Sequence, residues 1–332
     1  MRESLRQRCE LLADNYTVIH HDFMWDFEMM SLAAACIYTS SGIKADTAKM
    51  KECQAILKKK EGVFSELRGT TELALLSRMA VSNSPENYLE EVLGVYKRIM
   101  KGKIFSSPYY VLSALIIVEQ HKVGQADDII GKTKDIIKKM GKEHPILTGR
   151  EDVPFATIMA MLPDEVGSMI HEMEACYDVL KKKFPMHKDA VQGLCQVLTI
   201  SKMDNEEKSK KAVEIFECLK KKGIKYGKST ELAALGGLVD INMDADAIAS
   251  EVAEASELLK KHKGFGNIAL GKEYRAMFAA LMVAEDYTGF SSSTGASTLG
   301  SSLAVAIAEE IILLILITAQ ASATAANTAA HS

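Results

Sequence analysis

Two kinds of hydrophobic segment alternate along the chain. The first is short and apolar nearly all round: "MMSLAAACIY" (29–38), "LALLSRMAV" (73–81), "VLSALIIV" (111–118), "ATIMAML" (156–162), "VQGLCQVLTI" (191–200), "LAALGGLV" (232–239) and "AMFAALMVA" (276–284). A helix that is apolar on every face has to be buried on every face. Periodicity does not separate such runs from buried strands, but their alanine and methionine content, with few β-branched residues in most copies, selects helix. We call these the A helices. The second kind, the B helices, is amphipathic. In "MIHEMEACYDVL" (169–180), Met169, Met173, Cys176 and Leu180 share one stripe, while His171, Glu172, Glu174 and Asp178 fall elsewhere. Their starts carry the expected signals: Ser84 before Pro85, Asp204 with Glu207 three residues on, and Asp244.

The B helices also end alike. "ILKKKEGVFSELRG" (56–69), "RIMKGKIFSSPYY" (98–110), "IIKKMGKEHPILTG" (136–149), "VLKKKFPMHKD" (179–189), "CLKKKGIKYGKST" (218–230) and "LLKKHKGFGN" (258–267) run from apolar residues through a lysine cluster to a glycine or proline and a polar loop. The last apolar residues before the clusters, Leu57, Ile99, Ile137, Leu180, Leu219 and Leu259, are 42, 38, 43, 39 and 40 residues apart. That period, with two helical segments in each unit, is the size of an αα-hairpin repeat. Lysines in a last turn face the orphan carbonyls and the negative end of the helix dipole, so the clusters read as helix ends rather than as a ladder of anion sites. Gly62, Gly102, Gly141, Gly223 and Gly264 are expected to take the left-handed conformation that terminates a helix, with Phe184-Pro185 as the stop in the fourth unit.

The expected fold is therefore all-α: a right-handed αα-hairpin repeat solenoid or curved array of about six repeats of roughly 40 residues. An N-terminal helix over 3–20 caps it and an A helix near 272–286 closes it. Residues 1–287 form the helical-repeat domain, and 288–302, "TGFSSSTGASTLGSS", is a flexible linker. Residues 303–332 hold a C-terminal apolar tail helix, "LAVAIAEEIILLILITA" (303–319), and a small-residue tail. The apolar run is short for a membrane span and carries Glu309 and Glu310 in its middle, so self-association or packing on the solenoid is expected ahead of insertion.

Composition narrows the function classes. The 332 residues are 48% hydrophobic and 25% charged, as in ordinary globular domains, and the formal charge of −4 lacks the basic field that general nucleic-acid binding uses. The six cysteines never approach a C-x-x-C spacing and read as reduced, mostly core thiols. The N-terminal "MRESLRQRCELL" has no apolar signal core, so a cytoplasmic location is expected, with membrane contact only through 303–319.

Candidate chemistry is sparse. H-E-x-x-H, G-x-x-x-x-G-K-[ST] and G-x-S-x-G are all absent. In "HHD" (20–22) adjacent helical side chains point apart, so no metal is expected there. "GFGNIALG" (264–271) does not follow a strand and reads as a helix stop and turn, not a phosphate loop. Trp25 reads as a core anchor. "HPILTGRED" (144–152) is the most varied loop, with Asp152 expected to cap the next helix. No catalytic residue, metal or cofactor is assigned.

What stacking does suggest is an edge, because all B-to-A loops would lie on one side. Arg68, Tyr109, His144, Arg150, Asp152, Tyr226, Lys228 and Arg275 are the candidate partner-binding residues on it. A scaffold or adaptor gripping an unknown protein or peptide is the leading expectation. The alternatives are a membrane-peripheral or self-assembling protein recruited by 303–319, and an enzyme with a small pocket at the A-helix ends that uses Arg68, His144, Glu151 and Asp152.

Certain phrases carry a resemblance. "FMWDFEMMSLAAACIYTSSGIKAD" (23–46), "GVFSELRG" (62–69), "HPILTGRED", "KKGIKYGKSTELAALG" (221–236) and "KKHKGFGNIALGK" (260–272) resemble an uncharacterised bacterial family, the domain of unknown function numbered four thousand and three, over roughly residues 1–287. Members of that family also end in a small-residue and apolar tail. The resemblance implies a cytoplasmic bacterial protein without an assigned activity, and it supplies no catalytic residues.

Overall fold

The computed structural model describes residues 1–23, 28–63, 65–267 and 270–288, and every regular element among them is helical. The protein is all-α. The amphipathic segments form α1 (Glu3–Asp22), α3 (Thr47–Lys60), α5 (Pro85–Met100), α7 (Ala126–Glu143), α9 (Val166–Lys183), α11 (Asn205–Lys221) and α13 (Ala245–Leu259). The all-apolar segments form α2 (Glu28–Ser40), α4 (Glu72–Val81), α6 (Pro108–Glu119), α8 (Val153–Ala160), α10 (Lys188–Leu198), α12 (Ala233–Gly236) and α14 (Lys272–Thr288). Trp25 and the 303–319 segment lie outside the described residues.

Burial follows the two patterns. Every residue from Leu73 to Ala80 and from Tyr110 to Val118 is buried, so α4 and α6 have no solvent face. Hydroxyls within these inner helices are satisfied locally: Ser77 donates to the Leu73 carbonyl and Ser113 to that of Tyr109, four residues back. The B helices bury one stripe only, as in α9, where Met169, Met173, Cys176 and Leu180 are buried and Lys181 to Lys183 are exposed.

Each outer helix packs on the inner helix that follows it, and inner helices reach one another. Thus α2 meets α4, α6 meets α8, α8 meets α10, and α10 meets α12. Between α4 and α6 the link is the Arg78–Glu119 ion pair, at 3.5 Å. The two ends then join. Helix α1 packs against α13 and α14 as well as α2. Arg8 bonds Glu285 at 2.8 Å, Ser40 at the end of α2 donates to the same carboxylate, and Arg2 lies over the Tyr287 ring. The helix expected over 3–20 forms as α1 and is the neighbour of both the first inner helix and the last two described helices. Its apolar stripe (Leu5, Cys9, Leu12, Tyr16, Ile19) would stay in water at a free end, and α13 and α14 cover it.

The lysine clusters occupy the last turns of α3, α9 and α11, whereas Lys101 and Lys103 follow the end of α5 and Lys260 and Lys261 follow that of α13. Several reach the next outer helix: Lys60 pairs with Glu90, Arg98 with Asp127, Lys183 with Glu217 and Lys222 with Asp246. Of the expected terminating glycines, Gly102, Gly223 and Gly264 have φ of 80°, 77° and 88°. Gly62 and Gly141 do not adopt it: Gly141 lies inside α7, which continues to Glu143 and stops before Pro145. Asp204 and Asp244 cap α11 and α13 by accepting from backbone N–H groups, whereas the Asp152 side chain does not cap α8.

Candidate functional site

Loops from an outer to an inner helix are long, and they gather on one face. Ser106, before α6, donates to Glu66, before α4; Gln192 of α10 donates to the Leu147 carbonyl in the loop before α8; Lys225, before α12, pairs with Glu273 at the start of α14. These bonds bring successive loops into contact at the N-terminal ends of the inner helices.

Much of the polar chemistry expected on this face is spent on holding the loops. Asp152 is buried; its Oδ1 accepts from Gln192 Nε2 (3.0 Å) and Gln196 Nε2 (2.7 Å), and its Oδ2 from the Gly149 amide (2.7 Å). Burial raises its pKa above the usual carboxylate value, against the three donors that favour the charge. His144 turns to Glu174, 3.0 Å from Nε2, and its ring packs on Tyr177. Arg68 bonds the Glu61 carbonyl, and the buried Arg275 guanidinium bonds the Phe265 carbonyl and Asn267. The Tyr226 hydroxyl, also buried, donates to the Glu231 carbonyl, and burial pushes its pKa well up. Tyr109 is half-buried; Arg150 and Lys228 are exposed, with the Lys228 ammonium 5.8 Å from the Phe216 ring centre. His144, Arg150 and Asp152 share one loop, and Tyr226 and Lys228 share another.

Sequence reasoning about polar residues missed the apolar ones. Five large hydrophobic side chains stand in solvent on four of these loops: Val63 (68% exposed), Ile104 (89%), Phe105 (67%), Ile146 (94%) and Met186 (87%). The loops run before α4, α6, α8 and α10 in turn. Between the next loops a half-open pocket of about 680 Å³ is floored by Phe216, Ile224, Tyr226 and Tyr274. The signal for the apolar tips was in the sequence, as single hydrophobic residues set in polar loops ("KGKIFSS", "EHPILTG", "FPMHK") that no core periodicity claims.

Comparison of the whole chain with known families supplies the relationship. A profile for proteins of unknown function, DUF4003, matches residues 15–321. The chain belongs to the DUF4003 family. The match to DUF4003 starts within α1 and runs past α14 through the apolar 303–319 segment, so that segment is shared with the family and the likeness extends beyond residue 287. No curated protein and no solved structure matches the chain. Among the described residues of this DUF4003 protein, no helix is long and apolar enough to cross a membrane.

Proposed function

We propose that the outer–inner helix pairs are αα-hairpin repeat units joined into a ring, and that the protein is a scaffold that docks a polypeptide segment on its loop face. The segment is apolar and acidic. One observation carries this reading: Val63, Ile104, Phe105, Ile146 and Met186 stand exposed on four successive loops of that face. Scattered surface hydrophobics need no explanation, but a row of them on one face marks an interaction site. Exposed Lys59, Lys101, Lys142, Arg150 and Lys182 each lie within four residues of one of these side chains in the sequence and favour acidic side chains in the partner. A bilayer fits less well. Its charge is uniformly negative, whereas this face carries Glu61, Glu66, Glu143 and Glu151 among the lysines.

The test is photo-crosslinking from Phe105 and Ile146 in cells, with Ile43 on the opposite side as control, followed by reconstitution of the purified pair. We expect adducts to one polypeptide from positions 105 and 146 only, and binding of that polypeptide to fall about tenfold or more in F105D/I146D, the loss of two apolar anchors. Adducts to lipid, or to residues 303–319 of the same chain, would replace this reading.

A further inference from the structure

The pocket beside the apolar row has its own chemistry. Its walls come from three successive outer-to-inner connections: His187 before α10, residues 220–231 before α12, and residues 270–274 at the start of α14. At about 680 Å³ it is within the range of sites that hold metabolites and cofactors. Its floor is aromatic. Phe216 and Tyr226 meet edge to face with ring centres 6.4 Å apart, and Tyr274 closes the far side.

The rim carries more lysines than carboxylates, Lys220, Lys225 and Lys228 against Glu231 and Glu273. Lys225 is neutralised by Glu273 at 2.6 Å, and that ion pair holds the carboxyl of Glu273 below its usual value. Glu231 is buried in the pocket wall, where it accepts from the Ser229 amide at 3.1 Å. Lys220 and Lys228 are exposed on the rim, and among the described residues neither is in an ion pair. Two lysines outside any ion pair thus outnumber Glu231, the one lining carboxylate that no described cation pairs with. An aromatic floor beneath two such cations suits a ligand with a flat apolar body and one anionic group.

We propose that this pocket binds a small aromatic anion, a carboxylate or phosphate ester, with its ring system on Phe216, Tyr226 and Tyr274 and its charge between Lys220 and Lys228. This goes beyond the docking of a polypeptide on the neighbouring loops. The probe is 8-anilinonaphthalene-1-sulfonate, whose sulfonate stands in for the natural anion, titrated by fluorescence into the full chain. One saturable site is expected, weakened by salt, with affinity about tenfold lower in K220Q/K228Q, as loss of two charge contacts implies. Both lysines are exposed, so the variant should keep the wild-type melting curve. The uncharged analogue N-phenyl-1-naphthylamine should bind the wild type about as weakly as the sulfonate binds K220Q/K228Q. F105D/I146D should bind the sulfonate normally, which separates this site from the docking face. Equal binding of the charged and uncharged probes, an unchanged affinity in K220Q/K228Q, or loss of the site in F105D/I146D would each overturn the assignment.

Discussion

Gly223 and Gly264 share a left-handed backbone but not a neighbourhood. A Cβ at Gly223 would meet nothing within 4 Å, whereas at Gly264 it would lie 2.0 Å from Cε1 of Tyr16. Gly223→Ala should cost about 1 kcal/mol, the left-handed penalty alone. Gly264→Ala should cost that plus about 1–3 kcal/mol for forcing an aromatic ring aside. Denaturant midpoints of the two variants measure the difference. Asp152 offers a second test at this scale. Because burial raises its folded pKa, its favourable contribution is full below the ordinary carboxylate range and is lost as pH rises through the raised value. The stability of the wild type relative to D152N should therefore decline from pH 4 to pH 7, read from urea midpoints. A flat difference would mean that the glutamine donors outweigh burial. Asp152 stood out in the sequence, but its partners did not. Gln192 and Gln196 were the legible clue, two amides four residues apart in the otherwise apolar "VQGLCQVL", where a buried polar group needs a partner.

Among the elements, capping separates residues that look alike on paper. Asp244 accepts from the Ala247 amide, whereas Ser84 makes no side-chain cap bond before Pro85. Asp244→Ala should cost about 1 kcal/mol and Ser84→Ala much less, as thermal melts of both would check. Helix positions were legible because two periodic patterns agreed with their boundary residues: α1 matches the 3–20 segment closely, and α14 begins at Lys272 as expected. Helix α12 was not. "LAALGGLV" reads as a full inner helix, yet α12 stops at Gly236. A Cβ there would sit 2.5 Å from Val197, so the glycine permits close contact with α10, a requirement that hydrophobicity alone does not express.

At the scale of the molecule, the period of about forty residues does not express the contact of α1 with α13 and α14, since the rotation from one pair of helices to the next is set by packing. Charges at both ends were the available hint: Arg2 and Arg8 near the start, Glu285 and Asp286 at the end of α14. They now form the seam, where Glu285 is 1% exposed and burial raises its pKa despite Arg8. Arg8→Ala leaves that carboxyl with Ser40 alone and should cost about 3 kcal/mol, the usual penalty for stranding one member of a buried pair. Hydrogen exchange should then show α1 and α14 losing protection together. In the wild type, with no frayed end, both should be protected as well as α6 and α8.

That seam has a consequence for chain order. The start of α1 and the end of α14 are tied through side chains, with the Arg2 guanidinium 3.5 Å from the Asp286 carboxylate. The first and last described helices are thus neighbours in space, and α1 is as much enclosed as the helices in the middle of the chain. A gene rewritten to begin at α5, with a short flexible linker from α14 to α1, is expected to encode the same packing, which circular dichroism and thermal melts would check. Numbering from α1 records how the chain is synthesised rather than how it is held together.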